Sequence, residues 1–195
     1  MHGFPILIPV VLLAAIAAAS MAVDWGAIAR GASDAFRWFR RGQERVGLVA
    51  RWRVECGPMR PDGSIDAHTA FDAGENLIVN AGLQAAKDLL FKAATTKVPF
   101  SWVAIGTDAT AEASGQTALL AEVARHAGNY TSGGTGVATV DWTFPAGVGT
   151  GAITEGALFN DAAAGDMFNR KTWAAVAKGA GDALKVSCVI TVAPA

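Results

Sequence analysis

ITEGALFNDAAAGDMFNRKTWAAVAKGAGDALKVSCVITV, residues Ile153 to Val192, reads as three short strands parted by two turn-rich breaks. The strands are Ile153 to Phe159, Met167 to Val176 and Leu184 to Val192. The breaks, Asn160 to Asp166 and Lys178 to Asp182, have the Gly, Asn and Asp content of hairpin-like turns. Strict alternation puts Ile153, Glu155 and Ala157 on one side of the first strand and Thr154, Gly156 and Leu158 on the other. In the last strand Val186, Cys188, Ile190 and Val192 share the core-facing phase. Upstream, LVARWRVEC (Leu48 to Cys56) shows the same period of two, with Leu48, Ala50, Trp52, Val54 and Cys56 on the apolar side. FSWVAIG (Phe100 to Gly106) is a buried strand and Val137 to Phe144 another. GPMRPDGS (Gly57 to Ser64) is a loop. ENLIVNAGLQAAKDLLF (Glu75 to Phe91) predicts a short helix with Leu83, Ala86, Leu89 and Leu90 inward. Thr107 to Val123 predicts a polar loop closing in a helical turn or two at ALLAEV. Regular strand–helix alternation stops after Val123, which argues against a doubly wound sheet. The prediction is a mainly β chain: an antiparallel β-sandwich with one or two flanking helices.

Ahead of this domain the character differs. FPILIPVVLLAAIAAASMAV (Phe4 to Val23) carries no charged side chain and matches the ~20 residues a helix needs to cross a bilayer core, although it lacks the basic n-region of a secretory signal. DWGAIARGASDAFRWFRRGQERV (Asp24 to Val46) follows helical spacing, with Trp25, Ile28, Phe36 and Phe39 on an apolar face and Arg37, Arg40, Arg41 and Arg45 crowding the later turns. These eight residues are the expected contacts with a membrane surface or a sister chain. Three segments follow: an apolar helix over 1–23, a basic amphipathic helix over 24–46, and the sandwich over 47–195. Charge divides along the same line. Seven of the ten arginines fall between Arg30 and Arg53, whereas from Val54 onward nine basic residues face fourteen acidic ones. A basic collar beside an apolar segment suits anionic lipid or an acidic neighbouring subunit; the acidic main domain weighs against nucleic acid.

Catalytic chemistry is thinly represented. His2, His68 and His126 share no ligand-like spacing; His68 has Asp66 and Asp72 nearby, and His126 follows Glu122 by four. The glycines of Gly147 to Gly156 lie between strands and open no helix, so a hairpin loop is expected there in place of a phosphate cradle. No serine sits in a G-x-S-x-G elbow. Cys56 and Cys188 both fall on inward strand phases and could meet if the first and last strands pair, with buried free thiols the favoured alternative. The expectation is a non-enzyme with no cofactor, no metal and no small-molecule substrate.

One further pattern runs through Asn76 to Val192. VAIGTDATAEASGQTALLAEVAR (Val103 to Arg125) followed by Ile153 to Val192 resembles small β-domain proteins from the structural modules of tailed phages and prophages. The matching residues are Ile105, Gly106 and Thr107; Thr117, Leu119, Glu122, Val123 and Arg125; Ile153, Thr154 and Glu155; Leu158, Phe159 and Asn160; Gly165, Met167 and Arg170; and Lys178, Gly181, Asp182, Leu184 and Val186. Asp108, Ala157 and Ala164 stand where the pattern has glycine. The resemblance implies a virion structural role (head decoration, tail or fibre, or another capsid-associated subunit) as a homo-oligomer alongside other virion proteins. The first 46 residues are an addition to that pattern. They leave two other readings in view: a pilin-like filament subunit, although the acidic residue near the start of a pilin helix is lacking, and a membrane-anchored bacterial β-domain.

Overall fold

The computed structural model describes residues 46–194. The chain divides into two units at Glu44/Arg45, and only the second is described. The expected apolar helix of 1–23, the expected amphipathic helix as far as Arg45, and its expected contact residues Trp25, Ile28, Phe36, Arg37, Phe39, Arg40, Arg41 and Arg45 lie outside the described residues. Among the described residues no helix is long and apolar enough to cross a membrane.

Ten strands and one helix follow in the order β1 (Val46–Pro58), β2 (Thr69–Glu75), β3 (Leu77–Ile78), α1 (Asn80–Phe91), β4 (Trp102–Gly106), β5 (Glu122–Ala127), β6 (Asn129–Ser132), β7 (Val137–Phe144), β8 (Gly151–Phe159), β9 (Met167–Lys178) and β10 (Asp182–Pro194). They form two five-stranded sheets of order β2-β1-β10-β7-β6 and β3-β9-β8-β4-β5, with every pairing antiparallel. The mainly β, sandwich-like expectation holds. The six strands anticipated from alternation all form, within a few residues of their expected ends, because each buries one apolar phase.

Side chains from both sheets interleave in the main core: Trp52, Val54, Val140, Phe144, Leu184 and Val186 from the first, Val103, Ile105, Ile153, Leu158 and Val176 from the second. Trp52 and Trp173 lie with ring centroids 6.1 Å apart, and a Cβ on Gly156 would come within 2.6 Å of Trp173. Glycine in mid-strand here leaves room for two indoles. A second, smaller core lies on the outer face of the second sheet, where Ala104, Ala157, Phe159 and Met167 are covered by Val79 and Leu119.

Several expectations are corrected. The helix begins at Asn80, because Glu75 ends β2 and Leu77–Ile78 pair with β9 as β3. Its inward residues are Gly82 and Ala85, while Leu83 and Leu90 are exposed. A Cβ on Gly82 would sit 2.2 Å from the Phe168 carbonyl, so the helix lies directly on the β9 backbone and only small residues fit beneath it. ALLAEV contains no helical turn; its end is the start of β5. Ile153 does not share a side with Glu155 and Ala157, because a bulge at Ile153/Glu155 turns Ile153 into the main core. Neither Gly147–Gly156 nor Lys178–Asp182 makes a hairpin: β7 and β10 belong to one sheet, β8 and β9 to the other, so both connections arch between sheets. Asn160–Asp166 does link paired strands, β8 and β9.

The first and last strands do pair, β1 against β10 over thirteen residues. Cys56 stands opposite Leu184 and Cys188 opposite Trp52, an offset of roughly 13 Å along the strand. That exceeds the reach of a disulfide, and both cysteines are buried free thiols.

Two expectations follow. A chain lacking Met1–Val23 should remain soluble, with an unchanged β-type far-ultraviolet spectrum, since two complete cores lie within 46–194; aggregation of the truncated chain would contradict this. Burial raises the Cys188 thiol from 9.0 to about 12, against a smaller opposing effect of the Asn169 amide. The native state therefore holds this thiol protonated, and its stabilising contribution is complete below pH ~9. It declines by up to ~1.4 kcal/mol per pH unit as pH rises towards 12. Urea midpoints between pH 9 and 11 should fall less steeply in Cys188→Ala than in the parent chain.

Candidate functional site

Two charged residues of the sequence pattern meet on the outer face of the second sheet. Glu155 in β8 and Arg170 in β9 are wholly buried, and Arg170 Nε donates to Glu155 Oε2 at 2.8 Å. They come together because Ala157 pairs with Arg170 and Glu155 with Thr172, which makes them diagonal neighbours across the ladder. Over them folds the long connection from β4 to β5, residues 107–121. Arg170 Nη1 donates to the Thr110 carbonyl at 2.8 Å, the Ala111 carbonyl at 3.4 Å and Gln116 Oε1 at 3.2 Å. Glu155 accepts the N–H groups of Asp108, Leu120 and Ala121 at 3.4, 3.4 and 3.0 Å. Arg170 Nη2 makes no hydrogen bond and lies 3.6 Å from Asp108 Oδ1. A Cβ on Gly106 would stand 2.3 Å from Glu155 Oε1, so this glycine is what lets the carboxylate lie against the end of β4.

Further ties fasten the same loop and its neighbours. Glu112 accepts from the Thr172 N–H at 2.6 Å and hydroxyl at 3.0 Å. Burial pushes the Glu112 carboxyl up, but the Thr172 hydrogen bonds and nearby Lys171 outweigh it and hold the group below its ordinary range. Thr110, through its side chain and N–H, likewise holds Asp108 low. Arg125 makes a two-pronged pair with Glu122 at 2.9 and 2.6 Å, and donates to the Asp161 and Ala164 carbonyls at 3.0 Å each. Its guanidinium lies 3.5 Å above the Phe159 ring. Asn160 and Asp166 bond each other within the β8–β9 turn, and Lys97 anchors Asp166 at 2.6 Å. Lys178, buried at the end of β9, donates to the Pro145 and Asp182 carbonyls at 3.0 and 2.7 Å. Glu122, Arg125, Glu155, Asn160, Arg170 and Lys178 are thus occupied in holding loops to sheets.

Of the histidines singled out in the sequence, His126 stacks on Trp142 at 3.7 Å and Glu122 pairs with Arg125 instead. Asp66 and Asp72 pair with Arg60 and Arg51. His68 meets a different carboxylate: its Nε2 lies 3.5 Å from Asp182 Oδ1. Cys56 Sγ, His68 and Asp182 offer ligand atoms all within 4.8 Å of one another. This grouping was not anticipated, because it spans 126 positions of sequence. The expected β1–β10 pairing carries the signal for it, since the register that opposes Pro58 and Asp182 brings Asp182 beside the end of β1.

Removing one member of the buried pair should be costly. Arg170→Met leaves Glu155 charged and unpaired and two loop carbonyls undonated, with an expected loss of about 3–5 kcal/mol in urea unfolding. Glu155→Gln combined with Arg170→Met should cost clearly less than the sum of the single changes; additive costs would mean that the two side chains act independently. Comparison with known proteins returned no matching family model, no matching curated protein and no matching solved structure.

Proposed function

We propose that this chain is a non-catalytic structural subunit of a tailed-phage or prophage-derived particle, assembled in many copies through its N-terminal segments. The observation that supports this reading is the use made of the shared sequence pattern. Arg125, Glu155, Asn160 and Arg170 serve as buried or half-buried fasteners of the outer layer, with exposed Glu122 holding Arg125, so the pattern describes a fold to be built and not a reaction centre. Such a subunit needs a rigid body with surfaces left for neighbours. Four strands, β2, β6, β3 and β5, end the two sheets. The outer side of α1 leaves Leu83, Leu90 and Phe91 at 49, 75 and 82% exposure, an apolar surface of the kind that subunit contacts cover. Trp25, Ile28, Phe36 and Phe39 are the proposed anchors of assembly, and Arg37, Arg40, Arg41 and Arg45 the contacts with an acidic neighbour or anionic lipid. The place of the subunit in the particle (decoration, tail or membrane-associated layer) follows from which of these surfaces is covered.

Mass spectrometry of purified particles, induced from cells that carry the gene, tests the reading directly. Abundant peptides from this chain, at a copy number that fits a symmetric lattice, are the expected result. Absence from the particles overturns it, and recovery in sheared surface filaments would assign the chain to the pilin-like class instead.

A further inference from the structure

Cys56, His68 and Asp182 come from the end of β1, the loop before β2 and the first residue of β10. They meet at one end of the first sheet. The backbone brings them there independently of any ion: the His68 N–H donates to the Cys56 carbonyl at 3.0 Å, and Pro58 faces Asp182 in the β1–β10 register. We propose that Cys56 Sγ, His68 Nε2 and Asp182 Oδ1 form a three-ligand site for Zn²⁺ or a similar divalent transition ion, with the fourth position open to solvent.

The geometry and the ligand chemistry support each other. A separation of 3.5 Å between His68 Nε2 and Asp182 Oδ1 matches the ligand–ligand edge of a tetrahedron with bonds of about 2.1 Å. The sulfur lies within 4.8 Å of a His68 ring nitrogen and of an Asp182 carboxylate oxygen, and His68, its side chain 47% exposed, has room to turn Nε2 towards it. Each ligand is also oriented from behind. His68 Nδ1 lies 3.2 Å from Thr69 Oγ1, which leaves Nε2 for the metal, and Asp182 Oδ2 accepts the Gly179 N–H at 2.8 Å, which leaves Oδ1. Cys56 is fully buried, Asp182 half-buried and His68 exposed, so the sulfur is the inner corner of the group and the imidazole its solvent side. The cation next to the group, the Lys178 ammonium, is held by the carbonyls of Pro145 and Asp182. One thiolate, one imidazole and one carboxylate is a donor set suited to zinc, and three protein ligands leave an open coordination position. On binding, the Cys56 S–H bond breaks as the metal–sulfur bond forms, and the proton passes to solvent. The competing arrangement is a simple His68–Asp182 ion pair with the thiol as a bystander.

Cobalt titration of the full-length chain, under reducing conditions, separates the two. The expected result is a saturable thiolate-to-cobalt charge-transfer band at one Co²⁺ per chain, accompanied by visible bands of four-coordinate cobalt and displaced by Zn²⁺. Cys56→Ser should abolish the charge-transfer band and Cys188→Ala should retain it. His68→Gln, a change at an exposed position that leaves the core intact, should weaken Co²⁺ binding by about tenfold or more. No charge-transfer band in the parent chain, a band that follows Cys188, or unchanged affinity in His68→Gln would each overturn the site and leave the ion pair.

Discussion

The pairing of Arg170 with Glu155 is the constraint on which the outer half of the molecule rests. Two full charges lie out of contact with water, and a buried pair of this kind is tolerated only when its remaining donors and acceptors are satisfied. Here they are satisfied largely by backbone, through carbonyls at Thr110 and Ala111 on one side and N–H groups at Asp108, Leu120 and Ala121 on the other. The loop that supplies those groups has no helix or strand of its own. Its conformation is therefore dictated from below, by a carboxylate and a guanidinium standing on two adjacent strands. In return it brings Leu119 over Ala157, Phe159 and Met167, which would otherwise be an uncovered apolar sheet face.

The same interaction explains what could and could not be read in the sequence. Strands with one buried phase, such as β1 with Trp52, Val54 and Cys56, announce themselves by alternation. The edges do not. TAFDAGE in β2 and NYTS in β6 contain the Asp, Gly and Asn typical of turns, and they become strands because β1 and β7 present partners for them. Leu119, Leu120 and Val123 have helical spacing, yet the N–H groups of Leu120 and Ala121 are taken by the Glu155 carboxylate, the backbone bends there, and Leu120 and Val123 are left exposed. Tertiary contact overrode a local pattern. In α1 the departure has the opposite sign: helical spacing points large residues inward, whereas Gly82 and Ala85 are buried because the helix lies so close to β9. The polar pattern residues were visible from the start as a recurring set, but their roles depend on strand register, which no single segment specifies. The Cys56, His68, Asp182 grouping was hidden for the same reason.

Charge is distributed accordingly. Glu155, Arg170 and Lys178 lie inside, while large apolar side chains on α1 lie outside, an inversion of the usual preference. Interior charges of this sort fix one arrangement of loops, because each alternative arrangement strands a donor or an acceptor. Under the proposed structural role, the exterior apolar groups of α1 are surface for a neighbour to cover. A building block requires both qualities: one shape, and a surface left unfinished.

The long ladder between β1 and β10 has a mechanical consequence. Val46 is paired with Pro194, so the two ends of the described domain leave from one corner, side by side. Tension drawn across that corner loads the backbone rungs singly, from Val46 inward, and opens them in the manner of a zip. Tension along the strands loads thirteen residue pairs together, in shear. Because both ends leave from that one corner, a pull between them takes the weaker, unzipping mode, and only force applied at opposite ends of the two strands meets the stiffer one.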